Sequence, residues 1–349
     1  MYHLWAFPDR ICGGELKYFV TLFNEPLFKF FGKTGRFCLS LFFFLGGYGI
    51  FMSCKNKEYD LICKIKNLYL DYWKVFLVFI PIAFIFFSNQ PIFCKDVGGC
   101  TRYNNFQFKV FIESFLGISR KYNNSWWFFF HYVIACVSFP LIRKVFKHFS
   151  FSINLLLVII LTLLFASVFP YLGKMTAFSS LDDNELYSLF FLQGLHSKYS
   201  YTGCFFMGIA MAKDNILVTL KSKMYHNNLL NPLVNVCIIF AVLYLKRYKF
   251  SDSSMDIFLA PIFCIAVCDI VNRISWIRLI LIHLGKQSTN MWLIHCFFCW
   301  YFYPFAKIVT ITKYALPSLI TLIILTYIAS ISTDYFWNRI SKLKSIIIK

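Results

Sequence analysis

Three histidines and a group of lysines carry most of the chemistry this sequence offers. His3 sits in Met1-Tyr2-His3-Leu4-Trp5-Ala6-Phe7. An imidazole titrates near neutrality, so it can take a proton from a hydroxyl and give it back. Residue type alone leaves two readings of His3: a proton acceptor, or a helix-end histidine that meets water or backbone. His295 lies in an apolar run beside Trp292, Leu293, Ile294, Phe297 and Phe298. In hydrocarbon it has to face the bundle interior and find a partner, either as a packing residue or as a group that orients a substrate. His131, within Phe128-Phe129-Phe130-His131-Tyr132, has aromatic neighbours that suggest packing. Lys55, Lys57, Lys64 and Lys66 crowd one short connection, where they meet anionic lipid headgroups or an anionic ligand. The Cys and His spacings show no metal motif, so no metal ligand is assigned. No Gly-rich phosphate loop and no Gly-x-Ser-x-Gly elbow is present either, which excludes a soluble hydrolase.

These residues hang on apolar segments long enough to cross a bilayer. The run from Phe37 to Met52 has no charge and, at about 1.5 Å per residue, covers most of a hydrocarbon core. A basic elbow, Lys55 to Lys66, leads to Leu68-Tyr69-Leu70-Asp71-Tyr72-Trp73, whose aromatics suit the headgroup level, and then to a second run, Val75 to Phe87. Further spans are read at Trp126 to Ile142, Ile153 to Phe169, Tyr187 to Ala212, Leu229 to Leu245, Ile257 to Val271, Ser288 to Phe305 and Leu316 to Trp337. The seventh of the nine spans in chain order, Ile257 to Val271, contains Asp269, the one acid read as lying well inside a span. Residues 1–7 resemble the last two turns of a membrane helix whose beginning is absent, since a span needs about 20 residues. Residues 11–33 read as a partly amphipathic connection, with Phe19, Leu22, Phe23, Leu27 and Phe30 at the spacing of an interfacial helix. The stretch 89–125 reads as a polar loop with a turn at Asn123-Asn124, and Ser125 as the cap of the next helix. Around Gln193 to Ser200, with His196 and Lys198, the pattern allows a re-entrant turn or a helix start.

The totals agree with this. The chain of 349 residues is 59% hydrophobic with a mean hydropathy of +0.62, against about 45–50% apolar residues in soluble domains. The fold class expected is all-α, a polytopic transmembrane helical bundle of about ten spans with the first truncated, forming one membrane-embedded domain over residues 1–349. The formal charge of +19 comes from basic residues spread through nearly every connection. It forms no stripe and no RNA-binding motif, so nucleic acid is excluded as a partner. Lys and Arg divide evenly between the two sides, and the elbow is placed inside because the long segments 8–35 and 89–125 fall opposite. Residues 1–20 show no cleavable signal peptide, because Asp9, Arg10, Glu15 and Lys17 interrupt them. Most of the thirteen cysteines lie in apolar runs as small hydrophobes. Cys94 and Cys100 flank a polar loop and either close a small ring or stay unpaired.

Four phrases, in order along nearly the whole chain, resemble the acyltransferase-3 family of integral-membrane O-acyltransferases that decorate bacterial surface glycans. Phe42-Phe43-Phe44-Leu45-Gly46-Gly47-Tyr48-Gly49 resembles that family's second span, with Gly46 where a serine is usual. Trp126-Trp127-Phe128-Phe129 followed by Tyr132 resembles its next aromatic phrase. Cys204-Phe205-Phe206-Met207-Gly208-Ile209 and the stretch Leu284-Gly285-Lys286-Gln287-Ser288-Thr289-Asn290-Met291-Trp292-Leu293-Ile294-His295 are similar to two later ones, the last being the most specific.

The resemblance implies transfer of an acyl group, acetyl from acetyl-CoA, to a hydroxyl of a surface or exported carbohydrate at the bacterial cytoplasmic membrane. His3 corresponds to the family's transfer histidine, while the basic residue expected some ten positions earlier has no counterpart. Either the sequence starts at an internal methionine, or the protein is a shortened, inactive member. Lys64 and Lys66 are the implied donor-binding residues; the family's second basic position falls on Asn67. Trp126, Trp127 and His295 are implied as pocket residues. The donor acts as a co-substrate, no cofactor is held permanently, and the remaining partner is lipid. A transporter or flippase of a lipid-linked saccharide is the rival reading, set against the lack of any clear internal repeat.

Overall fold

A computed structural model describes residues 2–6, 16–88, 102–164, 200–226, 232–251, 253 and 255–347. In chain order, α1 (Tyr2–Trp5) precedes a two-stranded ribbon, β1 (Thr21–Leu22) and β2 (Glu25–Pro26). Then come α2 (Leu27–Thr34), α3 (Phe37–Ser53), α4 (Leu61–Phe86), α5 (Phe108–Phe115), a 3₁₀ turn (Asn124–Trp126), α6 (Trp127–Lys147) and α7 (Phe151–Leu163). The second half holds α8 (Ser200–Lys213), α9 (Ile216–His226), α10 (Pro232–Tyr248), α11 (Asp256–Arg273) and α12 (Ser275–Lys286). It ends with α13 (Ser288–Cys296), a π-helical turn (Phe297–Tyr301), α14 (Tyr303–Thr310) and α15 (Ala315–Ile347).

The protein is thus a helical membrane protein with almost no strand, as its apolar runs require. Among the described residues, three helices (Leu61–Phe86, Asn124–Lys147 and Ala315–Lys342) are long and apolar enough to cross a bilayer alone, and up to seven spans result if four bent pairs each count as one. Ser288 to Phe305, expected as one straight span, is such a pair, bent by 91° between Ser288–Tyr301 and Tyr303–Thr310. Phe302 leaves helical geometry (φ −99, ψ 93) and Pro304 follows it in the first turn of α14, where a proline suits a helix start and opposes continuation. The Cys94–Cys100 loop and the stretch Gln193 to Tyr199 lie outside the described residues.

The chain forms two compact units. The first comprises residues 1–33, 66–127 and 279–349. Its segment 11–33, read as a partly amphipathic connection that allowed an interfacial helix, is helical only from Leu27 onward among the described residues. Thr21 pairs with Pro26 and Leu22 with Glu25, around a two-residue turn in which Phe23 (φ 51) and Asn24 (φ 60) are left-handed. Such mirror-image turns match the twist of paired strands, and Asn tolerates them well. Helical spacing of aromatics was misleading here because the turn residues interrupt it. Within the stretch read as a loop, α5 ends against one face of α4. Tyr69 Oη donates to the Leu116 carbonyl at 3.0 Å, Tyr72 Oη to Ser114 at 2.5 Å and Trp73 Nε1 to Phe115 at 2.8 Å. Those carbonyls close a helix, where the i to i+4 ladder runs out, and three aromatic donors spaced i, i+3 and i+4 bond them together, the Ser114 carbonyl also accepting from the Gly117 amide at 2.9 Å. The same aromatics thus serve helix packing, and Tyr72 is fully buried. Trp337 Nε1 bonds the Lys74 carbonyl at 3.0 Å and ties α15 to α4; Trp5 Nε1 bonds the Ala315 carbonyl at 3.0 Å and ties α1 to the start of α15.

The second unit comprises residues 34–65 and 128–278. Its centre is the crossing of α3 and α8. A Cβ on Gly47 would overlap the Phe205 carbonyl, and one on Gly208 the Phe44 carbonyl. The two backbones therefore touch through reciprocal glycines, the usual means of close helix approach in lipid. Gly46 abuts the Tyr132 ring, whereas Gly49 has open space around it. Two buried acids lie in α11. Asp256 accepts from Lys246 Nζ at 2.7 Å and from the Ser40 hydroxyl. Asp269 accepts from Asn235 at 2.7 Å and from Arg273 at 2.8 Å. The elbow after α3 is braced by Arg143, whose guanidinium donates to the Cys54 carbonyl at 2.7 Å. Asp60 then caps α4 by accepting from the Cys63 amide at 2.8 Å.

Candidate active site

In the first unit, α13 and the loop before α6 lock together through one carbonyl. The Phe297 amide donates to Ile294 as the chain enters the π turn, so the Leu293 carbonyl is released from the regular i to i+4 ladder. It accepts instead from Asn123 Nδ2 at 3.3 Å and from Trp126 Nε1 at 3.0 Å. Asn123 also accepts from the Ser125 amide at 3.0 Å, which makes Asn123 the residue that caps this turn. Ser125, expected as the cap, has its hydroxyl free for another use. A second brace comes from Tyr301, whose hydroxyl accepts from the Asn124 amide at 3.1 Å while Arg102 stacks 4.9 Å above its ring. Next to it, Tyr103 Oη donates to the Tyr122 carbonyl at 2.6 Å. Burial holds that phenol well above its usual pKa range, so it keeps its proton and remains a donor.

Onto this frame α1 delivers His3. Its Nε2 stands 3.4 Å from Ser125 Oγ. The ring stacks on His295 at 5.1 Å between centroids and meets the edge of Trp300 at 4.5 Å and of Tyr2 at 5.1 Å. His295 sets Nδ1 against the Trp292 carbonyl, which only accepts, so the neutral ring carries its proton on Nδ1 and its lone pair on Nε2. That Nε2 lies 3.3 Å from Cys296 Sγ, and the same sulfur lies 2.8 Å from Ser125 Oγ. The group is thus a hydroxyl, a thiol and two imidazoles, with an indole wall. A neutral imidazole in such a place can accept a proton from an incoming hydroxyl, and Ser125 can orient it.

The residues proposed from sequence fare differently. His3 and His295 come together. Trp126 is 1% exposed; its nitrogen is taken by Leu293 and its faces pack on Tyr72, Phe76 and Phe297. It holds the wall of the site from behind. Trp127 is half-buried. Lys64 is half-buried and Lys66 exposed, and two residues apart on α4 they point to opposite sides of that helix. His131 is buried in the second unit. Sequence reasoning missed Ser125, Cys296 and Trp300. Ser125 read as a cap and Cys296 as an apolar filler, and nothing in their local pattern marks them.

A family model described as an acyltransferase domain covers residues 1–334, essentially the whole chain. No curated protein and no solved structure matches the chain.

Proposed function

This chain belongs to the acyltransferase-3 family, and on that footing we propose that it moves an acyl group, acetyl from acetyl-CoA, onto a hydroxyl of a surface or exported polysaccharide. Membership makes it a multi-pass membrane acyltransferase; the donor, the acceptor and the bacterial cytoplasmic membrane are our reading. His3 acts as the base. It takes the acceptor's hydroxyl proton while the oxygen attacks the thioester carbonyl; a C–O bond forms, the C–S bond breaks, and the proton passes from the imidazolium to the departing thiolate. Such a base contributes about 10²–10⁴-fold to a rate.

What supports this is the setting of His3, with a serine hydroxyl 3.4 Å from Nε2 and its ring held against His295 and Trp300. Lys64 and Lys66, the residues the family resemblance implies, offer charge to the donor's phosphates. Trp127 and His295 are the proposed contacts to the sugar. The test is glycan O-acetyl content in cells carrying wild type, His3→Ala or His3→Gln at matched membrane levels. A fall of about 100-fold or more is expected for both variants. Unchanged acetyl content removes His3 as the base.

A further inference from the structure

His3, His295 and Cys296 together form a donor set that acyl transfer does not require. One nitrogen from each imidazole and the sulfur all lie within 4.8 Å of one another. Two imidazoles and a thiolate suit a borderline-soft divalent cation such as Zn²⁺, and three protein ligands leave the open fourth position typical of an exchangeable or reactive site. With metal–nitrogen bonds of about 2.0–2.1 Å and a metal–sulfur bond of about 2.3 Å, neighbouring donors of a tetrahedral site stand about 3.3–3.7 Å apart. The edge between Cys296 Sγ and His295 Nε2, at 3.3 Å, already has that length.

Two further features fit. His295 turns its Nδ1 to the Trp292 carbonyl, the outer-shell hydrogen bond that fixes tautomer and ring direction in metal-bound histidines and leaves Nε2 as the donor. Ser125 Oγ, 2.8 Å from the sulfur and 3.4 Å from His3 Nε2, stands where it can bond a ligand or a water in the fourth position. Cys296 is buried and enters the π turn directly, so its direction is set by the backbone.

We propose that this trio is a binding site for a Zn²⁺-class divalent cation. Binding releases the Cys296 proton, since the thiolate is the ligand. It also occupies the one basic nitrogen of neutral His3, so cation binding and proton acceptance at His3 exclude each other. This second consequence rests on the acyl-transfer reading; the first does not.

The test uses full-length protein purified in detergent and titrated with Co²⁺ as a spectroscopic probe. Expected are one equivalent per chain, tetrahedral ligand-field bands with a sulfur-to-cobalt charge-transfer band, and displacement by Zn²⁺. Cys296→Ser should abolish the charge-transfer band, and His295→Gln should weaken binding at least about tenfold, while Cys264→Ser, in the other unit, should change neither. Either ligand variant suffices if the other fails to fold. Absence of stoichiometric cobalt binding, or a charge-transfer band that survives Cys296→Ser, overturns the site. Stoichiometric binding together with unchanged acetylation in His3→Ala would leave the cation site standing and remove the acyl-transfer role of His3. Loss of acetylation without cobalt binding would do the reverse.

Discussion

At the scale of single residues, the two buried acids of α11 are matched with partners. Lys246 and Asp256 are 6% and 0% exposed and meet at 2.7 Å, with the Ser40 hydroxyl also turned to the carboxylate. Desolvating two charges costs several kcal/mol, so such a pair adds little net stability, yet breaking it strands one charge. Asp256→Ala is therefore expected to destabilise the protein by about 3–5 kcal/mol, whereas Lys246→Met combined with Asp256→Leu recovers most of that loss. Thermal unfolding in detergent checks both, and an unchanged midpoint for Asp256→Ala contradicts the account.

At the scale of elements, small residues and aromatic donors decide how helices meet. The phrases around Gly47 and Gly208 were legible as sequence similarity; that they press on each other was not. A methyl group at Gly47 drives into the Phe205 carbonyl, while at Gly49 it meets nothing. Gly47→Ala should accordingly destabilise by about 1–3 kcal/mol through overpacking. Gly49→Ala should be neutral or stabilising by about 0.5–1 kcal/mol, because alanine restricts the unfolded chain. Opposite shifts in thermal midpoint verify the pair, and equal shifts refute it. Other elements departed from their local pattern for physical reasons. Phe19 to Phe30 has helical spacing but turns at Phe23 and Asn24, and Tyr69 to Trp73, whose aromatics suit the headgroup level, also closes the end of α5.

At the scale of the whole molecule, the short basic elbow set against the long segments 8–35 and 89–125 gives the expectation for orientation. On that expectation the elbow between α3 and α4 faces the cytoplasm. Cys63 is exposed at the start of α4, so in a variant whose other cysteines are replaced it should react with an impermeant maleimide from the cytoplasmic side alone. Labelling from the opposite face would invert the topology. Helical class, membrane residence and family were readable from composition, run length and four phrases, because transfer into lipid is settled residue by residue. The meeting of His3, Ser125, His295 and Cys296 was not readable. It arises from segments more than a hundred positions apart, from a capping role that fell to Asn123 instead of Ser125, and from a π turn that shifts the helical phase after Cys296. None of these leaves a periodic trace in the chain, since contact between distant segments depends on how their surfaces pack once each has formed.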